Sequence, residues 1–289
     1  MVQPPAQTHA LSFAGVADAY ERARPGYPAE AAAWLAGSEP TRVLELGAGT
    51  GKLTTELIAL GHDVLATDPL EPMLRHLVDR LPTARTAVAV AERIPLAARS
   101  VDVVISAQAF HWFDLDRALP EIARVLKPSG RLALVWNLRD ERIPWVRRLG
   151  ELINVGHEEQ NTEYAHDLTA SHLFGFVEST TFRFWQPLDR SLLCDLVRSR
   201  SHIAVMAESD RERVLRTVDA LYDDYGRGHD GMRLPYLTHC FAATVRAPAL
   251  IEDGGSPPPG RSTRRSTRRP AHGDGDDGDG DGALLIDFP

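Results

Sequence analysis

Cysteine and long apolar runs are scarce in this chain of 289 residues. Cys194 and Cys240 are the only cysteines, too few for a disulfide framework and without the spacing of a metal-binding motif. No stretch reaches the roughly 18 to 20 apolar residues of a membrane-spanning helix. The first residues have neither the basic region nor the apolar region of a signal peptide. We therefore expect a reduced, cytoplasmic protein with no membrane partner.

Lysine is nearly absent as well, since Lys52 and Lys127 are the only lysines among 32 basic residues. Arginine suits phosphate recognition, but the abundant alanine beside it favours GC-rich codon usage as the explanation. The formal net charge is −8, and the arginines are scattered. The chain therefore lacks the basic surface of a nucleic-acid-binding protein, and we expect no nucleic-acid partner.

The composition changes after about Arg246. Residues 247–289 hold five arginines followed by an Asp/Gly repeat, with few apolar side chains before Leu284. Such a segment cannot bury enough apolar surface to offset the entropy of ordering it. We expect one domain over residues 1–246 and a disordered low-complexity tail over 247–289. The tail is read as a solvated extension, with an interaction arm as the alternative, and its aspartates lack the spacing of calcium ligands.

Short apolar strands alternate with helical segments from Thr41 onward. Strands are predicted at 42–46, 63–67, 84–90, 101–106 and 131–136, and helices at 51–60, 70–81 and 116–126. This alternation predicts an α/β fold with a doubly wound, mainly parallel sheet. Two more strands bring the sheet to seven, the last of them antiparallel. The further elements are a helix at 143–155, a strand at 176–185, a helical insertion over about 188–226 and a last strand at 234–245.

A glycine-rich turn follows the first strand. Gly47, Gly49 and Gly51 stand in the order G-x-G-x-G, and glycine lets the backbone turn tightly and approach a ligand closely. Asp68 ends the next strand, where a carboxylate can accept hydrogen bonds from both hydroxyls of a ribose. The combination predicts a nucleoside site. Lys52 occupies the position of the third glycine of a dinucleotide loop, which disfavours an NAD-dependent dehydrogenase.

The glycine loop resembles motif I of the class I S-adenosylmethionine (SAM)-dependent methyltransferases. Three later segments resemble the family in the same order: Ala91–Leu96, Val101–Phe113 and Arg124–Leu132. The opening, with Phe13, Tyr20, Arg24, Pro25, Tyr27 and Pro28, is most similar to the trans-aconitate-methyltransferase-like, small-molecule branch. The resemblance spans about residues 13–245. It implies a Rossmann-like methyltransferase domain that uses SAM as its cofactor.

The resemblance also implies which residues bind the cofactor. Gly47 and Gly49 would line the methionine portion, Glu45 would support its ammonium group, and Gly51 would belong to the same cofactor-binding loop. The other implied contacts are Asp68 at the ribose, Met73 beside the adenine, Ala91 and Glu92 at the adenine edge, and Gln108 near the methyl group. Met73 suits a core position equally well. Val90 departs from the aspartate that often stands there in the family, so the adenine contact would rest on the backbone of Ala91.

On the acceptor side, the resemblance places Tyr20, Arg24 and Tyr27 in a segment that folds over the cofactor. A guanidinium and a tyrosine hydroxyl suit a carboxylate, although Arg24 also fits a surface position. Trp112, Trp136, Asn137 and the 188–226 helices would line the acceptor pocket. His111 is the candidate general base, and a packing or substrate-binding role is the alternative. A base is needed only when the acceptor must lose a proton.

Methyl transfer from SAM to a small organic acceptor is therefore the predicted function, at oxygen and with a carboxylate favoured. Two alternatives stay open: methylation of carbon or nitrogen in another metabolite, and a SAM-binding scaffold protein without turnover. We expect a small-molecule substrate and a monomer or homodimer. No cluster of His, Asp and Glu at ligand spacing suggests a metal.

Overall fold

A computed structural model gives the fold of residues 22–153, 168, 170–200, 203, 205–226 and 231–246. Seven strands of these residues form one sheet in the order β3-β2-β1-β4-β5-β7-β6. The strands are Arg42–Leu46 (β1), Asp63–Asp68 (β2), Arg85–Val88 (β3), Val101–Ala107 (β4), Leu126–Arg139 (β5), Phe174–Leu188 (β6) and Met232–Val245 (β7). Strands β1 to β5 pair in parallel, and β7 is antiparallel to both β5 and β6. The predicted sheet, including its antiparallel last strand, is confirmed.

Helices cover both faces of this sheet. They are Ala29–Ala36 (α1), Lys52–Ala59 (α2), Glu71–Arg80 (α3), Leu115–Val125 (α4), Pro144–Ile153 (α5), Arg190–Arg198 (α6) and Glu208–Tyr225 (α7). α1 and α2 pack on the face that carries Val43 and Val103. α4 packs on the opposite face, with Leu44 and Val104. Because successive strand residues point to opposite faces and both faces are covered, the central strands are apolar almost without interruption.

A separate apolar cluster lies beside the last two strands. It joins α5, α6 and α7 to the carboxyl end of β6 and the start of β7, and Ala23 belongs to it. α6 and α7 stand between β6 and β7 in the chain, where the helical insertion is predicted. This cluster brings the segment at Ala23 and the insertion helices onto the same part of the sheet.

The largest differences from the sequence prediction concern α1, β5 and β6, while β3 is shorter than the predicted 84–90. The sequence does not predict α1. β5 is longer than the predicted 131–136, and β6 is longer than the predicted 176–185. β7 pairs with β5 as far as Arg139 and with β6 as far as Leu188. This pairing extends the carboxyl end of β5 and the ends of β6 through residues that interrupt the apolar pattern. The residues of β5 before Arg131 precede the β7 pairing and lie at a register shift in the pairing with β4.

Some predictions lie outside the described residues. They concern Phe13, Tyr20, the end of the helix at 154–155 and the tail 247–289. Within the described ranges, no helix is long and apolar enough to span a membrane. The same ranges hold no group of three or more His, Cys, Asp or Glu side chains placed to hold a metal ion.

Candidate cofactor and acceptor site

The glycine loop connects β1 to α2 at the carboxyl edge of the sheet. The strand order reverses here, with β2 on one side of β1 and β4 on the other. Ligands of doubly wound sheets bind at such a switch point. Gly47, Gly49 and Gly51 all have φ in the left-handed region, at +72°, +57° and +80°. The N–H groups of Gly47 and Ala48 both donate to the carbonyl of Thr67, at 2.8 and 2.9 Å, which ties the loop to β2.

The three glycines are required for different reasons. A Cβ on Gly47 would overlap the Cβ of Ala109, which follows β4, and a Cβ on Gly51 would lie 2.6 Å from Cγ of Leu77 in α3. These two positions are closed by the protein's own packing. At Gly49 the nearest atom would be Cε of Met73 at 3.7 Å, an ordinary contact distance. Gly49 is therefore the glycine that leaves room for a ligand beside the backbone.

Gly47→Ala should lower the free energy of unfolding by roughly 2–5 kcal/mol, because it adds a left-handed alanine and a steric overlap. Urea unfolding of the purified variant measures this loss. Gly49→Ala is the matched control, since it carries a similar φ without the overlap and should lose only about 1–2 kcal/mol. The double variant Gly47→Ala/Ala109→Gly should recover the difference. Equal losses at Gly47 and Gly49 would contradict this account.

Glu45 lies under the glycine loop and is 1% exposed. Its Oε2 accepts a hydrogen bond from the Thr54 hydroxyl at 2.6 Å. Its Oε1 is buried and has no partner among the described residues. Burial raises the pKa of this carboxyl to about 8, opposed by the Thr54 hydrogen bond and assisted by the nearby Asp68 charge. A buried carboxylate oxygen without a partner is a place where a cationic group would be bound.

Asp68 ends β2 and is held by two backbone amides. The N–H of Gly49 donates to Oδ2 at 2.9 Å, and the N–H of Leu70 donates to Oδ1 at 2.8 Å. Burial raises the pKa of Asp68, and these two hydrogen bonds oppose the increase. Each carboxylate oxygen keeps a second lone pair. The side chain is thus fixed in orientation and can still accept two hydrogen bonds from a ligand.

The residues predicted around the adenine differ in their surroundings. Met73 is 4% exposed, and its methyl group is the nearest neighbour of the space at Gly49. It therefore meets both descriptions, core residue and wall of the ligand space. Ala91 is 5% exposed. The Glu92 carboxylate accepts the N–H of Asp114 at 2.8 Å, so one of its oxygens is used to fix the chain just before α4.

Gln108 follows β4 in an unusual conformation for a side-chain-bearing residue. Its φ is +56°, and its N–H donates to the carbonyl of Val135 at 2.9 Å. Left-handed non-glycine residues are strained, and they occur at functional sites more often than elsewhere. This turn carries Ala109 against Gly47 and leads into a short 3₁₀ turn, Phe110–Trp112.

His111 lies in that 3₁₀ turn, with its ring centroid 4.6 Å from that of Trp112. Desolvation lowers the pKa of the imidazole to about 4. The residue is exposed, and a pKa below the usual 6.5 leaves the ring neutral at pH 7. A low pKa also makes the ring a weak base. His111 therefore suits an acceptor that has no proton to lose better than one that requires strong base catalysis.

The residues predicted for the acceptor pocket do not all reach open space. Trp136 is 3% exposed, and its ring packs edge-on to that of Phe241 at 6.0 Å. Asn137 is 6% exposed, and both ends of its amide are used. Its Nδ2 donates to the carbonyl of Gly26 at 2.9 Å, and its Oδ1 accepts from the Thr238 hydroxyl at 2.7 Å. Both residues contribute to packing at the carboxyl end of β5.

Residues 22–26, which we call the N-terminal strap, are fixed by side chains from distant elements. Nε of Arg24 donates to Oγ of Ser199 at 3.0 Å, and Nε of Arg22 donates to Asp195 at 2.9 Å. Nε2 of Gln186 donates to the carbonyl of Ala23 at 2.7 Å. The guanidinium of Arg24 is thus directed to the end of α6. Tyr27, the next predicted residue, is half-buried and packs beside the α1 cluster.

A doubly wound sheet with a glycine loop and two buried carboxylates at its switch point defines a nucleoside-binding protein of the Rossmann-like class. Comparisons with known proteins narrow this class. A protein-family model described as "Methyltransferase domain" matches residues 44–134. The uncharacterized methyltransferase Rv3342 of Mycobacterium tuberculosis is 44% identical over 237 residues, which cover 81% of this chain and 96% of that protein. The chain therefore belongs to the class I SAM-dependent methyltransferases and is a methyltransferase.

Two further proteins are similar to this chain. A candidate type II methyltransferase from Anaeromyxobacter dehalogenans has a solved structure with a TM-score of 0.58 and 26% identity, covering 76% of this chain and 97% of that one. A malonyl-[acyl-carrier protein] O-methyltransferase from Methylococcus capsulatus is 47% identical over 103 residues, 34% of this chain and 38% of that protein. The second likeness is partial.

Sequence reasoning missed two kinds of residue at this site. Thr54, which holds Glu45, lies nine positions away and inside a helix, where a threonine is unremarkable in a sequence. The contacts of the strap join residues that are 111 or more positions apart, such as Asn137 and Gly26. No spacing in the sequence marks such pairs.

Proposed function

We propose that this chain binds SAM at the glycine loop and transfers its methyl group to a small organic acceptor, at oxygen. One observation carries the cofactor assignment. Glu45 and Asp68 stand on either side of the glycine loop, and the Gly49 N–H joins the loop directly to Asp68. Two buried carboxylates suit the ammonium and ribose ends of one molecule, with an open backbone position between them.

The residues present fit this cofactor. The buried Oε1 of Glu45 has no partner within the described residues, and an ammonium group would supply one. Asp68 is oriented by two amides and keeps lone pairs for the ribose hydroxyls. Met73 would contact the ligand beside Gly49, and Gln108 would face the methyl end from the turn after β4. These residue roles are part of the proposal.

When bound, SAM supplies an already activated methyl group on a sulfonium. The chain's own task is then to orient the acceptor and exclude water. Gly47 and Ala109 fix the distance between the glycine loop and the turn after β4. The neutral ring of His111 stands at the end of that turn and would contact the acceptor without needing to take its proton.

Oxygen is the acceptor atom that the comparisons favour. The partial relative from Methylococcus capsulatus is an O-methyltransferase acting on a malonyl group, which bears a carboxylate. A carboxylate is ionised at neutral pH and needs no general base. This requirement agrees with the lowered pKa of His111.

SAM should raise the melting temperature of the purified protein. A ligand at 100 times its Kd stabilises by about 2.7 kcal/mol, which corresponds to roughly 5–10 °C for a domain of this size. Differential scanning fluorimetry with SAM, S-adenosylhomocysteine and NAD measures the effect, and NAD should produce no shift. A shift with NAD and none with SAM would contradict the cofactor proposal.

Turnover is tested separately. Release of S-adenosylhomocysteine is measured with a panel of small carboxylic acids, phenols and amines at saturating SAM. Release with an acid, together with a methyl ester in the product, would support the proposed reaction. SAM binding without release from any acceptor would instead favour a scaffold protein, and an N- or C-methylated product would reassign the acceptor atom.

A further inference from the structure

Arg139, the last residue of β5, is a buried charge with few partners. Its side chain is 3% exposed. One Nη2 contact reaches Oε1 of Glu141 at the long distance of 3.4 Å. Its Nε is buried and meets no acceptor among the described residues. A guanidinium carries five N–H donors, so most of the hydrogen-bonding capacity of this side chain is left for another group.

The surroundings of Arg139 on the sheet are aromatic and apolar. Arg139 pairs with Tyr236 of β7, which pairs in turn with Phe184 of β6, so the three side chains share one face. The rings of Tyr236 and Phe184 are stacked at 5.1 Å. Both belong to the cluster that contains Ala23 of the strap. A buried guanidinium that has one long ion pair in such surroundings favours a further anionic partner.

The neighbouring carboxylates compensate this charge only in part, through the 3.4 Å ion pair with Glu141. Asp140 is held by two hydrogen bonds from Arg142, at 2.6 and 2.5 Å. The Glu141 side chain is 44% exposed, and its carboxylate is seated against Gly150 of α5, where a Cβ would overlap it. Glu141 is thus directed toward α5 and touches Arg139 only at long range.

A second polar group on the same face is also unsatisfied. Gln186 uses its Nε2 to hold the carbonyl of Ala23, which assigns its orientation, and its Oε1 is buried without a partner in the described part of the chain. Gln186 pairs with Leu234, two residues before Tyr236 on β7. A donor at Arg139 and an acceptor at Gln186 therefore lie on the same face of the sheet, under the strap.

The position suits a methyl acceptor. The Gln108 N–H meets Val135 where β4 ends beside β5, and Arg139 lies four residues further along β5. At about 3.3 Å per residue this is roughly 13 Å beyond that point, on the order of the length of a small bifunctional metabolite. The strap and the insertion helices cover the same region.

We propose that Arg139 binds an oxyanion of the methyl acceptor and that Oε1 of Gln186 accepts a hydrogen bond from a hydroxyl of the same molecule. The inference rests on the proposed function, because it concerns the acceptor of that reaction. Carboxylate and phosphate share the required chemistry, since both bind a guanidinium through two oxygens. Arg139 would then be a specificity-determining residue, and acceptors with a neutral group in place of the anion would be rejected.

Isothermal titration calorimetry tests the proposal with three probes: succinate, glycerol 3-phosphate and succinamide. Each is titrated with and without S-adenosylhomocysteine. We expect the wild type to bind one or both anions and to bind succinamide at least tenfold more weakly. Arg139→Met should weaken binding of the anion about 10- to 100-fold, because this is the affinity that a hydrogen bond to a charged group contributes. Arg183→Met, an exposed arginine of β6, is the matched control and should bind as the wild type does.

Arg139→Lys keeps the charge without the planar fork and should lose severalfold in affinity, which keeps the test available if the methionine variant does not fold. Wild type that binds neither anion, or Arg139→Met that binds as tightly as Arg183→Met, would overturn the inference. The SAM-induced melting shift separates the two proposals. If SAM raises the melting temperature but no anion binds, the cofactor assignment is retained and the oxyanion site is rejected. If an anion binds through Arg139 but SAM does not raise the melting temperature, the oxyanion site is retained and the cofactor assignment is rejected.

Discussion

Asp68→Ala should lower the affinity for SAM by at least about 100-fold, because two hydrogen bonds to a charged carboxylate contribute about 1.5–3 kcal/mol each. Asp68 is well prepared for this role. The amides of Gly49 and Leu70 fix both of its oxygens before any ligand arrives, so little orientational freedom is lost on binding. Titration calorimetry with SAM and with S-adenosylhomocysteine gives the affinity directly.

The control is Asp63→Ala, at the opposite end of the same strand. Asp63 forms a half-exposed ion pair with Arg85 at 2.9 Å, and its loss should leave SAM affinity unchanged. Because Asp68→Ala also leaves two amides without their acceptor, circular dichroism and urea unfolding establish that the variant is folded under the titration conditions. An Asp68→Ala protein that is folded and binds SAM as Asp63→Ala does would refute the ribose assignment.

The stability of the ligand-free protein should fall as the pH rises from about 5 to 8, and Glu45→Gln should remove much of this fall. The folded-state pKa of Glu45 is raised from 4.5 to about 8. Across that window the native carboxyl keeps a proton that the unfolded chain has released. The contribution of Glu45 is thus fully present below about pH 4.5 and is lost by pH 8. One such group changes the free energy of unfolding by at most about 1.4 kcal/mol per pH unit.

Urea unfolding at several pH values, compared between wild type and Glu45→Gln, isolates this slope. Thr54→Val is a useful companion variant, because it removes the hydrogen bond that opposes the pKa increase. It should extend the fall to higher pH. Identical pH profiles for wild type and Glu45→Gln would show that Glu45 does not titrate in this range.

The same carboxyl predicts a proton release on cofactor binding. At pH 6.5 an ammonium group placed at Oε1 would favour the ionised form of Glu45, and about one proton should leave for each SAM bound. Calorimetry in two buffers of different ionisation enthalpy counts the protons. 5′-Methylthioadenosine, which lacks the amino group, should release none, and neither should SAM with Glu45→Gln. Equal release by both ligands would place the ammonium elsewhere.

Much of the fold follows from patterns of neighbouring residues. β1 begins and ends where the apolar run predicts, and Gly61 stands just after α2 with φ +87°, as a helix-terminating glycine should. α1 was missed because its eight residues, mostly alanine, give a weak pattern, and its place depends on Leu35 packing under β1 and β4. The carboxyl end of β5 and the ends of β6 were missed because pairing with β7, and not the apolar pattern, extends them.

The sequence by itself determined the doubly wound sheet, the glycine loop and the carboxylate at the end of β2. The periodicity of apolar residues, the glycines of a turn and the spacing between motifs are all local properties of the chain. Only the tertiary structure decided which glycine faces a ligand and which one is closed by Ala109. It also decided that Asn137 holds the strap, and that Nε of Arg139 and Oε1 of Gln186 are buried without a partner among the described residues. The reason is physical: these properties depend on atoms brought together from residues up to 163 positions apart, and no local pattern encodes that proximity.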